Sequence, residues 1–225
     1  MHRSYHVRSV LETASAKCQA RLSQPTEDLM AAVDHILGYM RMHPEREFTI
    51  KASEMIIVGY CDSTWNTERK SFSRGAYIFA MTSRHNERGG NVPVAIMSRV
   101  QRILGASAFE AEYIALYEAL MKCEYLRKIL LCMGYPQERT TIFCDNSSAV
   151  AKANGKLIPK NSRHIAMRLD WIEWVCSEGK YETKKIATGD NVSDFLTKPQ
   201  PIDGIKAFLA FSQGTAYQEA TSIMT

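Results

Sequence analysis

Met55-Ile56-Ile57-Val58-Gly59-Tyr60-Cys61-Asp62 is a nearly continuous apolar run that stops at a carboxylate. A short run of this kind, bounded by polar sequence, is what a central strand buried on both faces needs. Residues 74–82 (RGAYIFAMT) and 92–98 (VPVAIMS) read as two further strands. The polar stretch between them, residues 83–91, carries Gly89-Gly90 and suits a hairpin loop, so the first three strands form an antiparallel meander.

A long helix is expected over residues 108–133, closed by Gly134 and Pro136. A strand at 140–145 (TTIFCD) leads into a short helix opening at Asn146. Residues 163–178 make an amphipathic helix with Trp171, Trp174 and Val175 for packing and Gly179 as C-cap. A strand at 180–187 and a last helix from about Asn191 follow. Upstream, residues 26–42 read as an amphipathic helix capped by Thr26, with Leu29, Val33, Ile36, Leu37 and Met40 at helical spacing, ended by Pro44. Strands joined through a long helix favour a parallel, right-handed crossover. The expected architecture is α/β: a five-stranded mixed sheet, three antiparallel strands then two parallel additions, flanked by helices. Residues 1–54 form a connector with its helix, 55–200 the folded domain, and 201–225 a tail with Phe208, Leu209 and Phe211 able to dock a partner.

The 225 residues, 45% apolar and 23% charged, are those of a globular protein able to bury a core without staples. The six cysteines (Cys18, Cys61, Cys123, Cys132, Cys144 and Cys176) show no zinc-ligand spacing and read as reduced, mostly buried thiols of an intracellular, reducing compartment. Cytoplasm and nucleus fit; a mitochondrion also fits, because Arg3 and Arg8 precede the first acid, Glu12. No stretch reaches the ~20 apolar residues of a membrane span, so no membrane partner is expected. A net charge of +4 permits a nucleic-acid partner without demanding one.

Chemistry concentrates in four acids. Asp62 and Asp145 close the first strand and the strand after the long helix, and parallel neighbours would bring both to one carboxyl edge. Each follows a cysteine, so side-chain alternation sends Cys61 and Cys144 toward a helix layer and both aspartates to a shared cleft. On the long helix Glu112 shares a stripe with Ala115, Leu116 and Ala119, whereas Glu110 sides with Tyr113 and Tyr117; Glu112 is therefore assigned to the cleft. Asp194 opens the last helix. Bare carboxylates this close repel one another, and divalent cations relieve that cost. Hard oxygen ligands suit two Mg²⁺ (or Mn²⁺) rather than Zn²⁺, and two such ions about 4 Å apart cleave phosphodiesters. The bland alternative for Asp145 is a helix N-cap.

The strings Gly59-Tyr60-Cys61-Asp62-x-x-Trp65, Arg69-Lys70-Ser71, Glu110-Ala111-Glu112-Tyr113-Ile114-Ala115-Leu116, Cys144-Asp145-Asn146-x-Ser148-Ala149 and Asp194-x-Leu196-Thr197-Lys198-Pro199 closely resemble the ribonuclease H domain of copia-type LTR retrotransposon polyproteins. Pro25-Thr26-Glu27 and its helix resemble the connection after the reverse transcriptase, so the likeness spans about residues 20–200. The resemblance implies a ribonuclease H-like fold, cleavage of the RNA strand of RNA–DNA hybrids with two Mg²⁺, and Asp62, Glu112, Asp145 and Asp194 as catalytic metal ligands. It departs from the family at Thr64, where a second Asp is usual, in a shortened segment between Trp65 and Arg69, in Arg74-Gly75-Ala76, and in residues 187–190, which lack the histidine many cellular ribonucleases H carry.

Reading the 2′-hydroxyl of RNA needs short polar groups. Asn146, Ser147 and Ser148 after one catalytic strand and Ser71 and Ser73 after the other are the candidates, with helix capping an equal role for Asn146. Phosphates need cations. Arg69, Lys70 and Arg74 form one group; Lys152, Lys156, Lys160, Arg163, His164 and Arg168 form another. Trp65, Trp171 and Trp174 read as packing residues. The expected partners are the hybrid and a reverse transcriptase or a larger ribonucleoprotein assembly. In the competing reading the fold is a domesticated binding or scaffold subunit of such an assembly; four intact carboxylates argue for the metal-dependent endonuclease.

Overall fold

The computed structural model describes residues 11–42, 50–88, 91–156 and 162–198, with Phe208 and Phe211. Gly89-Gly90, Pro44, Lys160, Pro199 and nearly all of the expected tail lie outside the described residues.

Five strands form one sheet in the order β3-β2-β1-β4-β5: β1 (Ile56–Thr64), β2 (Arg74–Thr82), β3 (Pro93–Val100), β4 (Thr140–Cys144) and β5 (Tyr181–Lys185). β1, β2 and β3 run antiparallel, and β4 and β5 add in parallel to β1. This is the ribonuclease H-like α/β fold expected from the sequence. Central β1 is buried through most of its length, as its apolar run requires. Gly59 is needed there because a Cβ would run into the ring of its cross-strand neighbour Phe79.

Helices cover the sheet on both sides. On one face lie α3 (Ala108–Cys132), α4 (Ser147–Ala153) and α5 (Ala166–Ser177), over a core of Ile57, Cys61, Phe79, Ile142 and Cys144 with Leu116, Ala119 and Leu120. The other face buries Val58, Tyr60, Ala76, Ile78 and Phe143 against Ile186, Leu196 and Phe208. The alternation of Ile57 and Cys61 with Val58 and Tyr60 is the period of a strand. α3 starts as its sequence dictates: the Ser107 hydroxyl accepts the Glu110 N–H. It ends where Gly134 turns left-handed at φ 88° and Tyr135 N–H returns to the Leu130 carbonyl.

Several expectations are corrected. The helix expected from Asn191 is a 3-10 turn, Val192–Leu196, because Asn191 holds the chain tightly against β1. β1 continues to Thr64, which puts Asp62 inside the strand. The helix expected at 163 opens with a 3-10 turn, Arg163–Ile165, before α5. A helix the periodicity does not flag, α1 (Glu12–Gln19), packs on β3 through Leu11 and Cys18, and Thr13 Oγ1 donates to the Phe195 carbonyl. Its eight residues carry too few apolar positions to show a stripe. Thr26 caps α2 (Glu27–Met42) as expected, accepting the Leu29 N–H at 3.3 Å, yet only Leu29 of that helix is buried. Trp174 is exposed rather than packed, and Trp65 is half-exposed, its indole N–H tethered to the Gly105 carbonyl at 2.9 Å.

Candidate metal centre

Four acids meet at the carboxyl edge of β1 and β4, and they arrive from different layers. Asp62 projects from β1 on the face opposite Cys61 and is buried. Asp145 follows the last residue of β4 and is half-buried. The capping alternative for it fails: Asn146 is the N-cap of α4, its side chain accepting the Ala149 N–H at 3.0 Å. Asp194 sits in the Val192–Leu196 turn, buried, with Lys198 ion-paired to it one turn on. Glu112 descends from α3, accepts the Ser63 N–H at 3.2 Å, and has the Cys144 thiol 3.9 Å away.

Carboxylate oxygens of Asp62, Asp145 and Asp194 lie within 4.8 Å of one another, and Glu112, Cys144 and Asp145 form a second such trio. Asp145 belongs to both. Each trio is a group that could hold a metal ion, and the two share one aspartate.

Glu110 has another task. It accepts the Ala106 N–H at 2.6 Å and the Ser162 hydroxyl at 2.7 Å, and His164 Nε2 lies 3.3 Å from it. The segment before α3 is thereby clamped to the segment before α5, which is the separation from Glu112 that the 100° helical rotation requires.

Burial first, then the hydrogen bond from Thr197, then the neighbouring charges of Asp194, Asp145 and Lys198 set the Asp62 carboxyl: it is pushed up to about 7, with Thr197 and Lys198 acting downward. Glu112 is held well above the ordinary carboxylate range by burial and by Cys144, Asp62 and Asp145, against the Ser63 N–H. Carboxyls that resist ionising in each other's company are those a cation would restore to the charged form. The donors are hard oxygens with one soft exception, Cys144, so the set fits Mg²⁺ or Mn²⁺.

The surrounding candidates divide. Arg69, Lys70 and Ser71 are exposed in a 3-10 turn beyond β1, with Lys70 and Ser71 left-handed at φ 58° and 61°. Ser148 is exposed and Asn146 half-buried at the start of α4. Arg163 and His164 are exposed beside the Glu110 clamp. Three candidates are corrected. Arg74 is buried, paired with Glu68 at 2.6 Å and bonded to Ser98 at 3.1 Å. Lys152 is buried against Glu173. Ser73 is buried, with its Oγ accepting the Asn66 N–H at 3.2 Å.

Three residues went unassigned in the sequence. The Thr197 hydroxyl donates to Asp62. The Asn191 amide donates to the Cys61 carbonyl at 3.1 Å and accepts from Ser193, fixing the turn that carries Asp194. Lys198 pairs with Asp194. Thr197 and Lys198 stand in the Asp194-x-Leu196-Thr197-Lys198-Pro199 string, and the Asp194–Lys198 spacing of four signals an ion pair.

Sheet order and acid cluster together define a ribonuclease H-like domain with a candidate metal centre. Its homologues are Pol polyproteins of copia-type retrotransposons. The retrovirus-related Pol polyprotein from transposon TNT 1-94 of Nicotiana tabacum is 28% identical over 182 residues, 80% of this chain and 13% of the polyprotein. That from transposon RE1 of Arabidopsis thaliana is 26% identical over 186 residues, 80% of this chain and 12% of the polyprotein. The chain thus spans about an eighth of the length of these relatives. No family model matches. Among solved structures, LC11-RNase H1 in complex with RNA/DNA hybrid is similar at a TM-score of 0.47 and 18% identity, over 62% of this chain and 92% of that one. RNase H1 from Halobacterium salinarum NRC-1 gives 0.44 and 15%, over 63% and 93%. Among the described residues no helix is long and apolar enough to cross a membrane.

Proposed function

We propose that this chain is a metal-dependent endoribonuclease that cuts the RNA strand of RNA–DNA hybrids. The observation that carries the reading is the sharing of Asp145 between two ligand trios, one completed by Asp62 and Asp194 and the other containing Glu112. Two Mg²⁺ ions (or Mn²⁺) held there supply an activated water and charge stabilisation for the leaving 3′ oxygen.

The chain's own groups orient the ligands. Thr197 fixes one Asp62 oxygen, and the Ser63 N–H fixes one Glu112 oxygen. Lys198 holds one oxygen of Asp194. Asn146, Ser148 and Ser71 are the polar groups that we assign to a ribose 2′-hydroxyl. Arg69, Lys70 and Arg163 are the exposed cations for phosphates, His164 is an exposed imidazole beside them in sequence, and Lys160 is a further candidate from the sequence. A reverse transcriptase or ribonucleoprotein assembly is the partner this activity calls for.

The test is cleavage of a labelled RNA–DNA hybrid in Mg²⁺ and in Mn²⁺, beside an Asp145→Asn control. Cutting of the RNA strand that vanishes in the control is the expected result. A folded protein that cuts in neither metal overturns the reading.

A further inference from the structure

Away from the acids, a groove of about 440 Å³ lies between α3 and the β2–β3 side of the sheet. Four cations line it, Arg99, Arg102, Lys122 and Arg168, against one carboxylate, Glu118. Glu118 is already taken by Arg99, at 2.7 Å. No ion pair among the described residues occupies Arg102, Lys122 or Arg168. The groove therefore carries a positive charge that the fold itself does not neutralise.

Its other walls are aromatic. The Arg168 guanidinium lies 5.2 Å over the Tyr117 ring, and the Lys122 ammonium 5.1 Å from the centre of the Tyr125 ring. Tyr125 is 59% exposed, with Met121 open beside it. Tyrosine of this size has no packing reason to stand in solvent at the end of a basic groove. Tyr117 is half-buried against Trp171, so Tyr125 is the open ring; a cationic track ending on an open aromatic ring is the chemistry that holds single-stranded nucleic acid, phosphates on the cations and a base on the ring.

Position supplies the remaining argument. Ser63, next to Asp62, pairs with Gly75, and Gly75 pairs with Arg99. Two interstrand steps separate the backbone at Ser63 from that at Arg99 by roughly 10 Å. From Ile114 to Tyr125 it follows α3 for about 16 Å. Its volume is that of a drug-sized ligand, which admits a nucleotide or two and excludes a duplex.

We propose that this groove binds a single-stranded segment adjoining the hybrid, with Arg102 and Arg168 on phosphates and Tyr125 under a base. The proposal takes from the assigned function only the source of the strand. It is tested by fluorescence anisotropy, without catalytic metal, on a blunt hybrid, the same hybrid with a single-stranded extension, and the single strand alone. Wild type is compared with Arg102→Ala/Tyr125→Ala, two exposed positions, with thermal melts to confirm folding and Arg102→Lys as the conservative variant. The extension is expected to tighten wild-type binding about 5–10-fold, and the double variant to lose that gain while binding the blunt hybrid within about twofold of wild type. Arg102→Lys should keep most of it. An extension without effect in wild type, or equal weakening of blunt and extended hybrids in the variant, overturns the proposal. The two readings fail separately. Hybrid cleavage with no groove effect removes this one, whereas groove-dependent strand binding without cleavage removes the nuclease.

Discussion

The Thr197 hydroxyl donates to the Asp62 carboxylate across 135 positions of sequence. Thr197 lowers the proton affinity of a carboxyl that burial and two neighbouring aspartates have pushed up to about 7. Thr197→Val is expected to raise that affinity further, so that protons compete with the metal over a wider range. The acidic limb of the pH–rate profile should move upward by about 0.5–1 in pH, and Thr197→Ser should restore it. An unmoved limb in the Val variant would remove Thr197 from this role.

For the same reason, Mg²⁺ affinity should fall as pH drops from 8 to 6, with proton release on binding. Titration calorimetry in two buffers of different ionisation enthalpy reads the released proton directly. Buffer-independent heats at pH 6.5 would show that no carboxyl is protonated there.

Glu110 and Glu112 are expected to respond oppositely. Glu110→Ala leaves the Ala106 N–H and Ser162 hydroxyl without their acceptor and should cost about 2–3 kcal/mol in urea unfolding. Glu112→Gln replaces a buried carboxyl whose ionisation the neighbouring acids oppose, so it should hold or raise stability while Mg²⁺ binding weakens at least about tenfold. Equal loss of stability in both would contradict the division of labour.

Glu12 offers a stability test at a carboxyl outside the four-acid cluster. Burial pushes its carboxyl up to about 7, opposed by the Ser98 backbone. The folded state therefore binds this proton more tightly than the unfolded one. The group's contribution is fully present below its ordinary value near 4.5 and is lost as pH rises to about 7. Glu12→Gln should stabilise the protein by on the order of 1–3 kcal/mol at pH 8 and change little at pH 4. A variant no more stable than wild type at pH 8 would refute the assignment.

Gly59→Ala would push a methyl into the Phe79 ring, which is fully buried and has little room to retreat. A loss of about 1–3 kcal/mol is expected in chemical denaturation. An unchanged midpoint would mean that the ring relocates freely.

The sheet and the four acids were legible because both rest on local signals. The apolar run ending at Asp62 is a strand at any register, and the helical rotation between Glu110 and Glu112 decides which one faces the sheet. What was not legible depends on distant partners. Arg74 and Lys152 look like phosphate ligands until Glu68 and Glu173 are seen to take them. The short segment holding Asp194 lacks the length to declare its geometry, which Asn191 sets by reaching back to Cys61. α1 carries too short a pattern to be seen without the β3 surface that receives it. The Arg and Tyr residues of the α3 groove come from four separate segments, so no local string gathers them.

The residues that hold Asp62 and Asp194 in place, Thr197 and Asn191, are synthesised after Asp62, Glu112 and Asp145. When Asp145 has left the peptidyl-transferase centre, three of the four acids exist, but the fourth and its supports do not. At about 5–20 residues per second the remaining stretch takes roughly 3–10 s. A nascent chain that pairs β1 with β4 early still lacks a closed centre for that interval. The order of synthesis thus delays closure of the acid cluster until the segment through Thr197 has been made.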